Sequence, residues 1–274
     1  MQNNNMKIHQ YTNIEALACI LKNRTIRFKR LDTVDDLEEG NVDSSGVKFG
    51  KYVFASCWTD VEEENIPLWK MYGGDTGGVR ISLEQEMFKE YVISNQQIMG
   101  LQTQGFIKTH IPIEDWEKPD FFIMPNMGYQ NDIFYRHIKY VDDVSCIIKD
   151  AIKVDSNNGD FPLDMKCFGF YKNKHWEFQK EVRFVLYILP VNPILEGIKP
   201  DGYSIIKNSI LENKPLPFDY YDMHLKDDAF DSLEITLSPS ATEAQRIIVQ
   251  ALIDKYAPKA EMKDSSLGKL VKLK

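Results

Sequence analysis

The sequence predicts an α+β fold: a central mixed or largely antiparallel sheet, helices packed on it, and an irregular insert around 95–131. Three observations carry this. The chain opens on a strand–helix–strand pattern between Lys7 and Lys29. Short runs rich in β-branched and aromatic residues recur at 52–58, 79–83, 182–189 and 233–237. Helical periodicity returns after Thr242. The 274 residues, 43% of them hydrophobic, suit one domain with a lid or insert and supply enough apolar surface for a packed core.

Taken in order, Lys7 to Tyr11 reads as a strand, and Thr12 or Asn13 can cap the helix that follows. In that helix Ile14, Leu17, Ala18 and Leu21 recur at helical spacing, and Asn23 is a plausible stop. Thr25 to Lys29 alternates as a second strand. The acidic, Gly/Ser-rich stretch over 31–50 is expected to be an exposed loop. Tyr52 to Trp58 is the next strand. Pro67 suits the first turn of a short helix carrying Leu68, Trp69 and Tyr72, which Gly73-Gly74 ends. Gly77-Gly78 leads into a strand over 79–83.

Between 95 and 131 short β-like pieces are interrupted by Pro112, Pro119 and Pro125, as in a lobe or lid. Strand character resumes over 137–141, a helix is expected over 144–154, and 155–160 is a loop. A helix over 163–178 then precedes the strand over 182–189. Pro and Gly punctuate 190–219. A strand over 233–237 and a turn at Ser238-Pro239-Ser240 lead to a helix over 243–256 that Thr242 opens. Trp58, Trp69 and Trp176 each fall in an apolar element and are expected in one contiguous core.

The composition excludes several classes. A net charge of −8, from 33 basic and 41 acidic side chains, gives no global attraction to nucleic acid or anionic lipid. No apolar stretch approaches the ~20 residues that span a bilayer, and the first residues lack the apolar run of a signal peptide. Cys19, Cys57, Cys146 and Cys167 stand far apart with no C-x-x-C pair, which fits neither a disulfide framework nor a zinc site. Cys19 and Cys57 read as small buried hydrophobes. The expectation is a cytoplasmic protein with reduced thiols, whose partner is a small molecule or another protein.

Three blocks together carry a resemblance. The first is Tyr11…Leu17…Ile20-Leu21…Ile26-Arg27-Phe28, followed by Asp35-Asp36-Leu37-Glu38-Glu39-Gly40. The second is Ser56-Cys57-Trp58…Leu68-Trp69-Lys70-Met71-Tyr72…Gly78-Val79-Arg80-Ile81. The third is Lys172…Trp176-Glu177-Phe178-Gln179-Lys180-Glu181-Val182-Arg183. Their order is similar to the prokaryotic domain-of-unknown-function family 2971, and Leu233 to Pro239 followed by a helix fits the same pattern. The family's Asn-Asp-Pro-Phe-Glu appears here as Asp35-Asp36-Leu37-Glu38-Glu39, so Asp36 and Glu39 match while the Pro and Phe do not. The resemblance implies a bacterial protein, often from defence-associated gene neighbourhoods, with no agreed activity.

Gln179-Lys180-Glu181 also resembles the Q/E-x-E signature of ADP-ribosyltransferases, as does the strand–helix–strand opening. That resemblance implies NAD as substrate. Glu181 would hold the ribose hydroxyl and stabilise the positive charge as nicotinamide departs, the need that glycosidases meet with a carboxylate. Gln179 would orient the acceptor, His9 or Tyr11 would contact the nicotinamide ribose, and Ser56 would support Glu181. Tyr72 and Arg183 complete the candidate substrate-binding set.

The alternatives are structural. Glu181 and Arg183 are i, i+2 neighbours that can stabilise a sheet as a pair, and Arg183 is expected to meet Glu181 or an acid of 35–39. The acids at 35–39 could hold a cation, but such runs are usually just solvated, and no metal is expected. Gly73 to Gly78 lacks the G-K-[ST] ending of a phosphate loop and precedes a strand, so a turn is expected there. The rival to an NAD-consuming effector is a non-enzymatic sensor module binding a ligand or protein through the Trp69, Tyr72 and Val79 block.

Overall fold

The computed structural model describes residues 6–271 except 41–42, 44–45, 74–76, 95–96, 99–100, 103–104, 117, 125–132, 150, 152–163 and 269. Its centre is a ten-stranded sheet. The strands are β1 (Lys7–Asn13), β2 (Thr25–Arg30), β3 (Val53–Thr59), β4 (Gly78–Glu84), β5 (Phe122–Ile123), β6 (Tyr135–His137), β7 (Glu181–Leu189), β8 (Tyr220–His224), β9 (Glu234–Leu237) and β10 (Glu261–Lys263). The main path runs β6-β7-β3-β1-β4-β9-β10, with β2 joining β3 to β8 and β5 beside β7. Every described pairing in this sheet is antiparallel except β9 with β10. The α+β expectation therefore holds.

Side chains alternate between the two faces of a strand, and here the alternation separates two chemistries. One face carries Ile8, Trp58, Ile81, Leu83, Val182, Phe184 and Ile235, all in the main core. The other carries His9, Tyr11, Thr59, Cys57, Arg80, Ser82, Glu181 and Arg183. A polar sheet face buried this deeply must satisfy its groups internally.

The helix α1 (Ile14–Asn23) links β1 to β2. Asn13 caps it by accepting from the Ala16 N–H at 2.7 Å, and Arg24 ends it with φ 54°. Leu17 and Leu21 are its buried residues. Cys19 is exposed, not on the apolar face as expected, because two residues beyond Leu17 turn it about 200° around the axis. The helix α2 (Ile66–Tyr72) is capped by Asn65, with Pro67 in its first turn. The helix α3 (Glu243–Tyr256) packs beside α1 and opens with a reciprocal box between Thr242 and Gln245. Thr242→Ala removes one half of that box and is expected to cost about 1 kcal/mol. A thermal melt unchanged within error would mean that α3 is held by packing alone.

Several expectations are corrected. The stretch 31–50 contains helical turns at Leu31–Thr33 and Leu37–Gly40, and Leu31, Asp36, Glu39, Val47 and Phe49 are buried. The expected helix over 163–178 is instead a short 3₁₀ turn, a strand Tyr171–Asn173 parallel to Lys139–Val141, and a 3₁₀ turn Lys174–Gln179. The helix at 144 is described only over Val144–Lys149, and the loop at 155–160 lies outside the described residues. Within 95–131 the described pieces are the strand pair Gln97–Ile98 with Leu101–Gln102, the strand Phe106–Thr109 on Tyr91–Ser94, the turn Ile113–Trp116, and β5. The 190–219 stretch holds helices Pro193–Gly197 and Gly202–Leu211.

Of Trp58, Trp69 and Trp176, only Trp58 joins the main core, which also holds Trp116. Trp69 forms a separate small cluster with Tyr11 and Leu68, and Trp176 is half-buried beneath the Lys172 ammonium. Among the described residues no helix is long and apolar enough to cross a membrane.

Candidate functional site

One edge of β3 is shared by two strands that diverge. β1 pairs with it only at His9↔Thr59, and β2 only at Lys29↔Ala55 and Arg30↔Phe54. Between these points Ser56, Cys57 and Trp58 have no strand partner on that edge among the described residues. The Gln10 side chain reaches across instead and donates to the Cys57 carbonyl at 3.0 Å. The fork, bridged by α1, opens a cleft of about 610 Å³ on the polar face. That lies within the ~300–1,000 Å³ of typical small-molecule clefts. Tyr11 and Asn13 line one arm, Thr25, Arg27 and Lys29 the other, and Leu68, Met71 and Tyr72 of α2 stand at the β1 end.

All seven candidate residues border this cleft: His9, Tyr11, Ser56, Tyr72, Gln179, Glu181 and Arg183. They do not all face the same way. Ser56 is paired with Phe184, on the face opposite Glu181, and its hydroxyl accepts from the Trp58 indole at 2.9 Å. It does not support Glu181. His9 and Glu181 both pair with Thr59, one on each side, so they lie two strand spacings apart, about 9.6 Å.

Glu181 sits in a buried ionic cluster. Its Oε1 accepts from Arg183 Nε at 2.7 Å and its Oε2 from Lys172 Nζ at 2.9 Å. Arg183 also forms a two-pronged pair with Glu39 and donates to the Gly169 carbonyl at 3.1 Å. Lys172 donates to Gln179 Oε1 at 2.6 Å, and Gln179 Nε2 donates to the Tyr72 hydroxyl at 3.0 Å. Arg183 thus meets both expected acids, Glu181 and one from 35–39. Two carboxylates face two cations, so the cluster carries no net charge.

The local backbone explains the convergence. Asn173 caps the 3₁₀ turn Lys174–Gln179, and Lys180 leaves it with φ 44°. That left-handed residue reverses the chain and aims Gln179 and Glu181 into the same interior. Its carbonyl is held by the Thr59 hydroxyl at 2.9 Å. Burial pushes the Glu181 carboxyl up, but Arg183 and then Lys172 more than offset it, and the carboxyl titrates at about 2. Glu39, buried with Arg183 as its one ion-pair partner among the described residues, is pushed up by burial. Burial likewise raises the half-buried Cys57 thiol to about 12, which disfavours its thiolate form.

The polar atoms of His9 and Tyr11 turn toward the loop 60–65 that leads into α2. His9 Nδ1 pairs with the Ser82 hydroxyl at 2.7 Å, and its Nε2 lies 3.1 Å from Glu62 Oε2. The Tyr11 hydroxyl accepts the Asn65 N–H at 2.9 Å. Burial, then Arg80, lowers the His9 pKa. Glu64, from the same loop, accepts from the Trp69 indole at 2.9 Å, the Ser265 hydroxyl at 2.6 Å and the Ser266 N–H at 2.6 Å. Leu267 packs on the Tyr11–Leu68–Trp69 cluster. The 264–267 segment therefore braces the helix that walls the cleft.

Sequence reasoning missed Lys172 and Arg80 as site residues, although both fall inside the blocks that carry the resemblance. The signal was a Lys in a short strand and an Arg in an otherwise apolar one; burial gives them their role. Among the described residues no three His, Cys, Asp or Glu side chains gather as metal ligands. The possible phosphate loop at 73–78 falls partly on 74–76, outside the described residues. In comparisons with protein-family models, curated proteins and solved structures, nothing matches this chain.

Proposed function

We propose that the cleft binds NAD and that the protein is an ADP-ribosyltransferase-like, NAD-consuming enzyme, in keeping with the resemblance of Gln179-Lys180-Glu181. The supporting observation is that His9, Tyr11, Gln179 and Glu181, up to 172 positions apart in sequence, border one cleft at the fork of the sheet. In this reading the bond between the ribose anomeric carbon and the nicotinamide nitrogen breaks. Its electron pair leaves with nicotinamide, which becomes neutral. The ionised Glu181 carboxylate stabilises the ribosyl cation, and an acceptor hydroxyl or water adds to that carbon and loses its proton. Gln179, held between Lys172 and Tyr72, positions the acceptor. Membership of family 2971 and a role as a bacterial defence effector belong to the same proposal.

A second reading, a ligand-sensing module without turnover, is favoured by one observation: both Glu181 oxygens are already held by cations. Incubation with NAD separates the two. The enzyme reading expects free nicotinamide to accumulate by chromatography, with calorimetric binding of NAD. Binding without nicotinamide, alone or with cell extract as acceptor source, supports the sensor. No binding at all sinks the assignment of NAD to this cleft.

A further inference from the structure

Beside the cleft, under the loop 60–65, two nitrogens are buried: Arg80 Nε, which lacks a hydrogen-bond partner, and His9 Nε2, whose nearest acceptor is the exposed carboxylate of Glu62. His9 is 1% exposed and Arg80 6%. They belong to adjacent strands on one face, since His9 pairs with Ser82 and Tyr11 with Arg80. Diagonal neighbours of this kind stand about 7 Å apart. Among the described residues no carboxylate lies within ion-pair distance of Arg80. Its described hydrogen bonds go to the Glu62 carbonyl, at 2.6 Å, and the Tyr11 hydroxyl.

A buried guanidinium without a counter-ion costs stability unless an anion completes it. What fills the space now is Glu62, whose carboxylate approaches His9 Nε2 to 3.1 Å while its side chain remains 74% exposed. Glu62 thus covers the position with a carboxylate that solvent can reach and that another anion can replace. The Ser82 hydroxyl faces His9 Nδ1 at 2.7 Å, and in the tautomer where that hydroxyl donates, Nε2–H is the ring's remaining donor.

We propose that His9 and Arg80 form a phosphate-binding position, that the Glu62 carboxylate closes it as an internal anion, and that this exposed side chain swings out to let a phosphate group of a ligand take its place. A phosphate fits because it carries more charge than a carboxylate and offers oxygens to both nitrogens at once. This inference does not require NAD turnover; any ligand bearing a phosphate or diphosphate would use the position.

The test is a titration of the full chain with inorganic pyrophosphate, following the His9 ring nitrogens by NMR, with a nucleoside diphosphate run beside it. The expected result is a saturable shift of His9 Nε2. Glu62→Gln, a change at an exposed side chain, should tighten binding about tenfold because the competing closed state is weakened. Arg80→Lys, checked for folding by its melt, should weaken it. Preference for the nucleoside diphosphate identifies a nucleotide site, and equal binding a bare phosphate site. The proposal is overturned if His9 does not respond at millimolar pyrophosphate in either the wild type or Glu62→Gln. It is equally overturned if Glu62→Gln binds no more tightly than the wild type. Neither outcome bears on nicotinamide release, so the two readings fail separately.

Discussion

Arg183→Met is expected to destabilise the fold by about 4 kcal/mol, because it removes one partner from a buried ionic cluster. Arg183 is fully buried and is the described partner that ties Glu39, on the turn Leu37–Gly40, to β7. Without it, Glu181 keeps Lys172, but Glu39 is left as a carboxylate with no cation and no water. It must then protonate or drag its turn outward. For a chain of this length the loss corresponds to a fall of about 8–16 °C in Tm. Adding Glu39→Gln should recover part of it, since the uncompensated charge is then gone, and the double-mutant cycle should return a coupling of about 1–3 kcal/mol. A single-variant loss below about 1 kcal/mol, as for an exposed pair, would contradict the structural role given to this cluster.

Glu181→Gln is expected to lower nicotinamide release at least about 100-fold, the scale on which a single charge-stabilising group acts in a transition state. The substitution is nearly isosteric, yet it is not silent for folding. The neutral amide would leave Arg183 with Glu39 alone and Lys172 with no carboxylate, at a cost of about 2 kcal/mol. Activity must therefore be compared well below both melting temperatures, with circular dichroism confirming the fold. The pH response gives a second readout. The Glu181 carboxyl is lowered from its ordinary 4.5 to about 2, so its stabilisation is complete above about 4.5 and is lost as pH falls toward 2. The Glu181→Gln variant should lack that part of the acid transition. A folded variant that releases nicotinamide at the wild-type rate would make Glu181 an ion-pair residue and nothing more.

What could be read from the sequence follows the range of the interactions. The opening strand, α1 and β2 are legible because their apolar spacing and the cap at Asn13 are local. The same holds for α3, whose Thr242–Gln245 box lies within four residues. The 163–178 stretch misleads because Lys172 is buried through its partners rather than through apolarity, which blurs the periodicity. Gly169, with φ 80° and its Cα facing Val53 and Val185, breaks a helix there for a reason only the tertiary packing supplies. β8 and β10 are short edge strands without apolar alternation, so their partners define them. In the site, Glu181 and Arg183 were visible as a pair. Glu39 reads as a motif match in an acidic loop but not as a site residue, because its burial depends on a guanidinium 144 positions away. Ser56 was misassigned because face alternation could not be counted across an unknown register.

The brace at Glu64 sets an order on the making of the molecule. Ser265, Ser266 and Leu267, which hold α2 against Tyr11, are translated well after Arg183 and the rest of β7. The pairing of β7 with β3 and the seating of Arg183 on Glu39 use no residue beyond β7. The α2 wall does, so in the proposed ligand-binding role the cleft is complete only once the 264–267 segment is in place.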